Sequence, residues 1–172
     1  SSFYHGSALI ALIVILLHER GYFKLLNKYH LHDFSRYIFI LGTIWIYFLF
    51  TEYLLIWYAN IPEETIYFIT RLKGGWQVLF FANILINWII PFLVLLSNMA
   101  ARNKLVIKLV CFGLIIGQWI DMYLQIMPGA VGELNIGLIE IGSFIGFCGL
   151  FVFAFTKTLA KEPLIPQKHP YL

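Results

Sequence analysis

Three acidic residues, Glu52, Asp121 and Glu140, lie inside stretches of sequence that are otherwise almost entirely apolar. An ionisable group within a membrane span costs on the order of 2.5–3.5 kcal/mol on insertion scales, so such residues are rare and usually functional. Desolvation favours the neutral form of a carboxyl group, which suits uptake and release of protons near neutral pH. The three acids therefore indicate proton-transfer chemistry.

Amide and hydroxyl side chains recur at helical spacing around these acids. Gln118, Asp121 and Gln125 stand at i, i+3 and i+7, and Asn83 and Asn87 stand one turn apart, so each set shares a helix face. Polar faces on different spans should turn toward one another, because lipid offers them no hydrogen bonds. We predict a polar pocket that contains the three acids and is also lined by Thr51, Asn83, Asn87 and Gln118.

A simpler interpretation is that the amides only fasten helices together, at roughly 0.6 kcal/mol apiece. A third polar stripe, Thr43, Tyr47 and Thr51, ends beside Glu52 and is expected to face the same pocket. The glycine pairs Gly113/Gly117 and Gly142/Gly146 have the four-residue spacing that permits close helix packing.

The elements that must position these residues are membrane-spanning helices. The chain is 60% hydrophobic and only 12% charged, whereas a soluble domain is roughly 25% charged. The expected fold is all-α and polytopic, a bundle of about five transmembrane helices within residues 1–160, followed by an extended polar tail, 161–172, that contains Pro163, Pro166 and Pro170. The predicted spans are 3–17, 34–58, 76–96, 105–124 and 134–155.

Connections between the spans carry recognisable signals. Pro62 with Glu63 and Glu64 behind it predicts the first turn of a short helix along the membrane surface. Met127-Pro128-Gly129 predicts a turn after the fourth span. Pro91 is expected to kink the third span, with neighbouring groups satisfying the carbonyl that the proline frees.

The distribution of basic residues predicts the orientation. If five spans alternate, ten basic residues fall on one side and only Arg71 and Lys73 on the other. The side with more Lys and Arg is expected to be cytoplasmic, so the chain would begin outside and end inside. The three acids would then lie roughly 9–12 Å below the outer surface at a rise of 1.5 Å per residue. The ten are Arg20, Lys24, Lys28, Arg36, Arg102, Lys104, Lys108, Lys157, Lys161 and Lys168.

His30, His32, Asp33 and Arg36 cluster near the start of the second span. Asp33 is predicted to be the N-cap of that helix. The functional alternative is a proton-collecting point on the inner side that uses His32 and Asp33, because imidazoles titrate near pH 6.5.

Several cofactor classes are not expected in this chain. It lacks a Cys-x-x-Cys-His haem motif and a cysteine cluster for iron–sulfur, and Cys111 and Cys148 suit buried apolar positions. All five histidines are expected at helix ends or in loops, so no b-type haem is predicted and any redox centre belongs to another chain. The apolar run begins almost at Ser1, which is typical of a piece of a longer polypeptide.

Several groups of residues resemble a known family. The motif His32–Arg36 is followed by Trp45 and by the specific run Tyr53–Glu64. Later matching segments are Asn87 with Pro91-Phe92, then Trp119–Tyr123, Met127–Gly129 and Pro166–Pro170. These resemble the C-terminal half of the ActF subunit of bacterial alternative complex III, which is related to NrfD-type quinol subunits.

The resemblance implies a multi-pass subunit of a quinol:electron-acceptor oxidoreductase in a bacterial inner membrane. Its partners would be an NrfD-like ActC-type subunit, haem c and iron–sulfur subunits on the periplasmic side, and the lipid bilayer, with no nucleic acid. Menaquinol or ubiquinol would be the reductant, and this chain would bind no redox cofactor. The expected role is scaffold plus proton path, with quinol binding the less favoured one because ActC-type subunits are better candidates for that site.

Two other classes of function are compatible with the residues. One is a purely structural membrane subunit. The other is a proton-coupled secondary transporter, which is disfavoured because the sequence shows neither inverted repeats nor paired broken helices.

Overall fold

The computed structural model describes residues 1–22, 26–130 and 137–161. Within these ranges the chain is all-α, and five helices are long and apolar enough to cross a membrane: Ser2–Glu19, Lys28–Ala59, Gly74–Leu96, Lys104–Ala130 and Leu138–Leu159. The predicted all-helical, multi-pass architecture is confirmed. Some of the predicted features lie outside the described residues: the start of the fifth span at residue 134, the basic residues Lys24 and Lys168, and the tail beyond residue 161.

The helices in chain order are α1 (Ser2–Glu19), α2 (Lys28–Ala59), α3 (Pro62–Arg71), α4 (Gly74–Ile84), α5 (Ile90–Leu96), α6 (Lys104–Ala130) and α7 (Leu138–Leu159). A π-helical turn, Leu85–Ile89, joins α4 to α5, and a 3₁₀ turn, Ala100–Arg102, precedes α6. The chain divides into two compact units, residues 1–134 and residues 135–172. Four spans therefore belong to the first unit and α7 belongs to the second.

Helix α2 begins earlier than predicted, and the assignment of Asp33 as its N-cap is wrong. Asn27 is the cap: its side-chain oxygen accepts from Lys28 N at 2.6 Å, and its own N–H donates to His30 Nδ1 at 3.2 Å. This reciprocal pair supplies partners at the helix end, so the helix starts before the apolar run. Asp33 consequently lies in the second turn of α2, exposed to solvent.

The connection from α2 to α3 forms as predicted. Asn60 adopts a left-handed conformation with φ of 50° and its N–H donates to Ile56 O, which ends α2. Pro62 then opens α3, with Glu63 and Glu64 in its first turn, where the helix dipole stabilises negative charge.

The third span accommodates Pro91 through the π-helical turn that precedes it. A proline cannot donate to the carbonyl four residues earlier, which here is that of Asn87. The hydroxyl of Tyr4 on α1 donates to this carbonyl at 2.8 Å. The prediction that a neighbour satisfies the freed carbonyl is confirmed.

The prediction of a turn at Met127-Pro128-Gly129 is wrong, because helix α6 continues through these residues. Pro128 lies inside the final part of a helix that ends at Ala130. A spanning helix tolerates proline when other groups supply the missing hydrogen bonds. Tyr67 of α3 contacts the same turn through its hydroxyl, which donates to the carbonyl of Gln125.

Small residues allow α1 to pack closely against α2 and α6. Ala8 and Ala11 are completely buried and lie in one apolar cluster with Ile15, Ile38 and Ile107. Close approach of helices through small side chains is the usual means of packing inside a membrane, where burial of apolar surface from water gives no driving force. This packing places the polar residues of α1, the third span and α6 side by side.

Candidate functional site

A polar cavity of about 420 Å³ lies among α2, α3, α4 and α6. Its polar lining comes from all four helices, and its apolar lining includes Leu49, Phe80 and Leu124. The predictions that Glu52, Asn83 and Asp121 line one pocket are confirmed. The polar residues that line it are Glu52, Tyr67, Arg71, Asn83, Asp121 and Gln125.

Asp121 is the buried acid of this cavity, with only 4% of its surface exposed. Its Oδ1 accepts from Asn83 Nδ2 at 3.0 Å, and its Oδ2 accepts from Gln125 Nε2 at 3.2 Å. Both carboxyl oxygens therefore act as hydrogen-bond acceptors.

Behind Asp121 the hydrogen bonds continue away from the cavity. Asn87 Nδ2 donates to Asn83 Oδ1 at 2.5 Å, and Asn87 Oδ1 lies 3.0 Å from His5 Nε2. All of these side chains are at most 4% exposed. We call this series of hydrogen-bonded side chains, His5, Asn87, Asn83 and Asp121, the amide chain. It joins α1, the third span and α6, so the interpretation of the amides as helix fasteners is also confirmed.

Gly117 makes room for the amide chain. Its carbonyl accepts from Asn87 Nδ2 at 3.2 Å, and a Cβ atom at this position would collide with the Asn87 side-chain amide. The predicted close contact at Gly117 is confirmed. Gly113, the other member of the pair, has open space where a Cβ would lie.

Arg71 brings a buried positive charge to the cavity, with 5% of its surface exposed. Its guanidinium carbon lies 4.1 Å from the centroid of the Tyr67 ring, and its Nη2 donates to the Tyr67 hydroxyl. Its Nε has no hydrogen-bond partner. The sequence analysis counted Arg71 only as a basic residue near the membrane surface. The missed signal was its i+4 spacing from Tyr67, which lets an aromatic ring cover the cation.

Glu52 lines the same cavity from α2 and is an exposed residue. Within the described ranges, the structure contains no ion pair within 4.0 Å that joins Arg71 to Glu52 or Asp121. The cavity thus holds one cationic and two acidic side chains that share a polar space without direct contact.

The other three predicted lining residues, Thr51, Gln118 and Asn87, lie outside this cavity. The hydroxyl of Thr51 donates to the carbonyl of Tyr47 in its own helix at 2.8 Å, so its placement in the pocket is wrong. A threonine satisfied in this way can face lipid without cost. Gln118 accepts from the Ser1 hydroxyl at 3.3 Å instead of lining the cavity. Asn87 lies behind the cavity, in the amide chain.

Glu140 belongs to the second unit, in the first turn of α7. Its Oε2 accepts from Gly137 N at 2.9 Å, which caps its own helix. This contact explains why an acid is tolerated there, because a carboxylate at a helix N-terminus is stabilised by unpaired N–H groups and the dipole. Its role as a third proton-transfer acid stays a prediction.

Part of the cluster near the start of α2 lines a different cavity, of about 350 Å³. His32 and Arg36 line it together with Ser35 and Asn98, whereas Asp33 does not. His32 and Asp33 therefore do not share one pocket, although their use in proton collection stays a prediction.

His5 is the functional candidate that the sequence analysis missed. It was assigned to a helix end, and it does lie in the first turn of α1, but this turn is buried and only 4% of the surface of His5 is exposed. A histidine two residues into an apolar run gives little signal, because its burial depends on how deeply α1 packs against the third span. Tyr4 beside it donates to the Asn87 carbonyl, so the two neighbours bind one asparagine from the same side.

An apolar cavity of about 510 Å³ adjoins the polar one. Leu49 and Phe80 line both cavities, and Trp88, Phe50 and Phe68 are among the other lining residues of the apolar one. Thr43 and Tyr47 of the predicted polar stripe line this apolar cavity. A group with an apolar body and a polar end could contact both.

The described residues contain no cluster of three or more His, Cys, Asp or Glu side chains suited to a metal ion. Comparison with known proteins adds no family assignment: no protein-family model and no curated protein matches the chain.

Proposed function

We propose that this chain is an integral membrane subunit of a quinol:electron-acceptor oxidoreductase of a bacterial inner membrane, where it acts as a scaffold and a proton path. The redox centres, haem c and iron–sulfur clusters, would belong to partner subunits. An ActC-type subunit would be the main site of menaquinol or ubiquinol oxidation. The family resemblance of the sequence motifs supports membership of such a complex. The surroundings of Asp121 support the proton path.

The observation that carries the proton path is the unequal surroundings of the two Asp121 oxygens. Oδ1 is held by Asn83, which is itself buried, whereas Oδ2 is held by Gln125, an exposed residue that also lines the cavity. Gln125 can move away without opening the helix packing. The proton therefore enters and leaves on Oδ2, from the cavity.

Glu52 is the second carboxyl of the route, because it shares the cavity and is exposed. The polar cavity has room for ordered water, which can carry a proton between the two carboxyl groups. Arg71 supplies a positive charge to the same cavity. Side-chain amides are neither acids nor bases near neutral pH, so Asn83 and Asn87 hold Asp121 in place and do not pass the proton on.

The test is Asp121→Asn in the intact complex. The amide is nearly isosteric but cannot bind or release the proton, and loss of a proton-transfer group typically costs about 10²-fold or more in the step it serves. We expect quinol-driven electron transfer, or the protons released per electron, to fall accordingly. Both are measured on the purified complex reconstituted in liposomes.

Glu52→Gln is expected to have a smaller effect, of several-fold, because water can reach the cavity beside an exposed residue. The matched control is Glu64→Gln, which neutralises an exposed acid on α3 that does not line the cavity. Normal turnover and proton yield in both Asp121→Asn and Glu52→Gln, in complexes that contain all subunits, would refute the proton path.

A purely structural role is the second candidate, and the amide chain favours it because it links three spans. In that case Asp121→Asn would reduce the amount of assembled complex and leave the turnover of the assembled fraction unchanged. Activity per assembled complex therefore separates the two roles.

A further inference from the structure

We propose that His5 is a buried imidazolium cation that neutralises Asp121 through the two asparagines of the amide chain. The two charged groups do not touch. Asn87 and Asn83 lie between them and hydrogen-bond in series. In this arrangement His5 is a positioning residue for Asp121, although it lies outside the polar cavity.

The first step is the orientation of the Asn87 amide. The oxygen and nitrogen of an asparagine side chain are assigned from their hydrogen-bond partners. The Gly117 carbonyl can only accept, and it lies 3.2 Å from one end of the Asn87 amide, which must therefore be the nitrogen. The other end, 3.0 Å from His5 Nε2, is consequently the oxygen, and Nε2 must donate to it.

The second step concerns the other ring nitrogen. His5 Nδ1 lies 2.9 Å from the carbonyl oxygen of Ser1, which is also only an acceptor. A neutral imidazole carries a single N–H, so it can satisfy only one of two acceptors. Both contacts are hydrogen bonds only if both nitrogens carry a proton. The geometry around His5 is that of an imidazolium.

The third step is the direction of the chain. Asn87 directs its N–H₂ group toward Asn83 Oδ1, and Asn83 directs its own N–H₂ group toward Asp121 Oδ1. Both amide dipoles thus place their negative ends toward His5 and their positive ends toward Asp121. Hydrogen bonds in series polarise one another, and a low local dielectric strengthens the interaction.

Asp121 is the acid that the amide chain connects to His5. A single buried charge is very unfavourable, whereas an opposite charge with satisfied hydrogen bonds offsets part of the cost. The ionisable neighbour of His5 on α1 is Tyr4, whose hydroxyl is neutral while it donates to the Asn87 carbonyl. Cys111 of α6 lies in the same packed cluster as Tyr4. On the other side, Asp121 shares its cavity with Glu52, Tyr67 and Arg71.

The experiment is nitrogen-15 NMR of the full-length protein, labelled at histidine and reconstituted in lipid bilayers at pH 8. His5 is identified by the signals that disappear in His5→Gln. An ordinary exposed histidine is only about 3% protonated at this pH, whereas we expect two protonated ring nitrogens for His5. A neutral His5 ring in the unmodified protein would overturn the proposal without the need for any further variant.

The link to Asp121 is tested in the same way. Asp121→Asn removes the opposite charge and is expected to convert His5 to the neutral ring at pH 8, although the substituted residue does not contact it. Asp121→Glu retains the charge and should retain the imidazolium. Glu64→Gln, at an exposed acid on α3, is the control that should change nothing. An imidazolium that persists in Asp121→Asn would contradict the pairing. The readout is independent of electron transfer, so it can fail or succeed separately from the proposed function.

Discussion

Substitution of Asn87 by alanine is expected to lower the free energy of unfolding by roughly 2–5 kcal/mol. The side chain is completely buried and binds three groups, His5, Asn83 and the Gly117 carbonyl, each of which would lose a partner in the variant. A buried polar group without a hydrogen bond costs more than the bond itself contributed, and lipid or packed side chains offer no replacement.

Thermal unfolding of the full-length protein in detergent micelles, followed by tryptophan fluorescence, measures this effect. For a protein of this size, each kcal/mol corresponds to roughly 2–4 °C in Tm. Asn98→Ala is the matched control, since it removes the same amide at an exposed position and should change stability by about 0.5 kcal/mol or less. Equal effects of the two variants would show that the amide chain does not stabilise the helix packing.

Gly117→Ala is expected to destabilise the protein by roughly 1–3 kcal/mol, the usual cost of forcing an extra methyl group into a filled space. The new Cβ would collide with the Asn87 amide, and either the side chain or the helix must move. Displacement of Asn87 would also break its contacts with His5 and Asn83. The variant should therefore be less stable, and the environment of His5 should change in the same variant.

The matched control is Gly113→Ala, one turn earlier on the same helix, where the added methyl group meets nothing within 4 Å. Alanine is a better helix former than glycine by roughly 0.5–1 kcal/mol, so this change should be neutral or slightly stabilising. The same unfolding experiment measures both changes in stability, which should have opposite signs at the two glycines. A loss of stability at Gly113 equal to that at Gly117 would contradict the proposed contact.

The spans were predictable because their signal is local. Length and hydropathy alone located all five long helices, and Pro62 with Glu63 and Glu64 located the short helix that follows α2. The ends of helices were less accurate. Asn27 is the cap of α2 because His30 completes a reciprocal pair with it, and α6 continues through Pro128 to Ala130.

By itself, the sequence determined that Asn83, Asn87 and Asp121 lie on polar helix faces, since a helix repeats every 3.6 residues, and that such faces must avoid lipid. Only the tertiary structure decided which groups those faces meet. It placed His5 against Asn87, and it placed Arg71 in the cavity that Asp121 lines. It also left the Thr51 hydroxyl bonded within its own helix. The physical reason is that a hydrogen bond between helices depends on their relative rotation and depth. Those quantities come from the packing of residues such as Ala8, Ala11 and Gly117, far from one another in the chain.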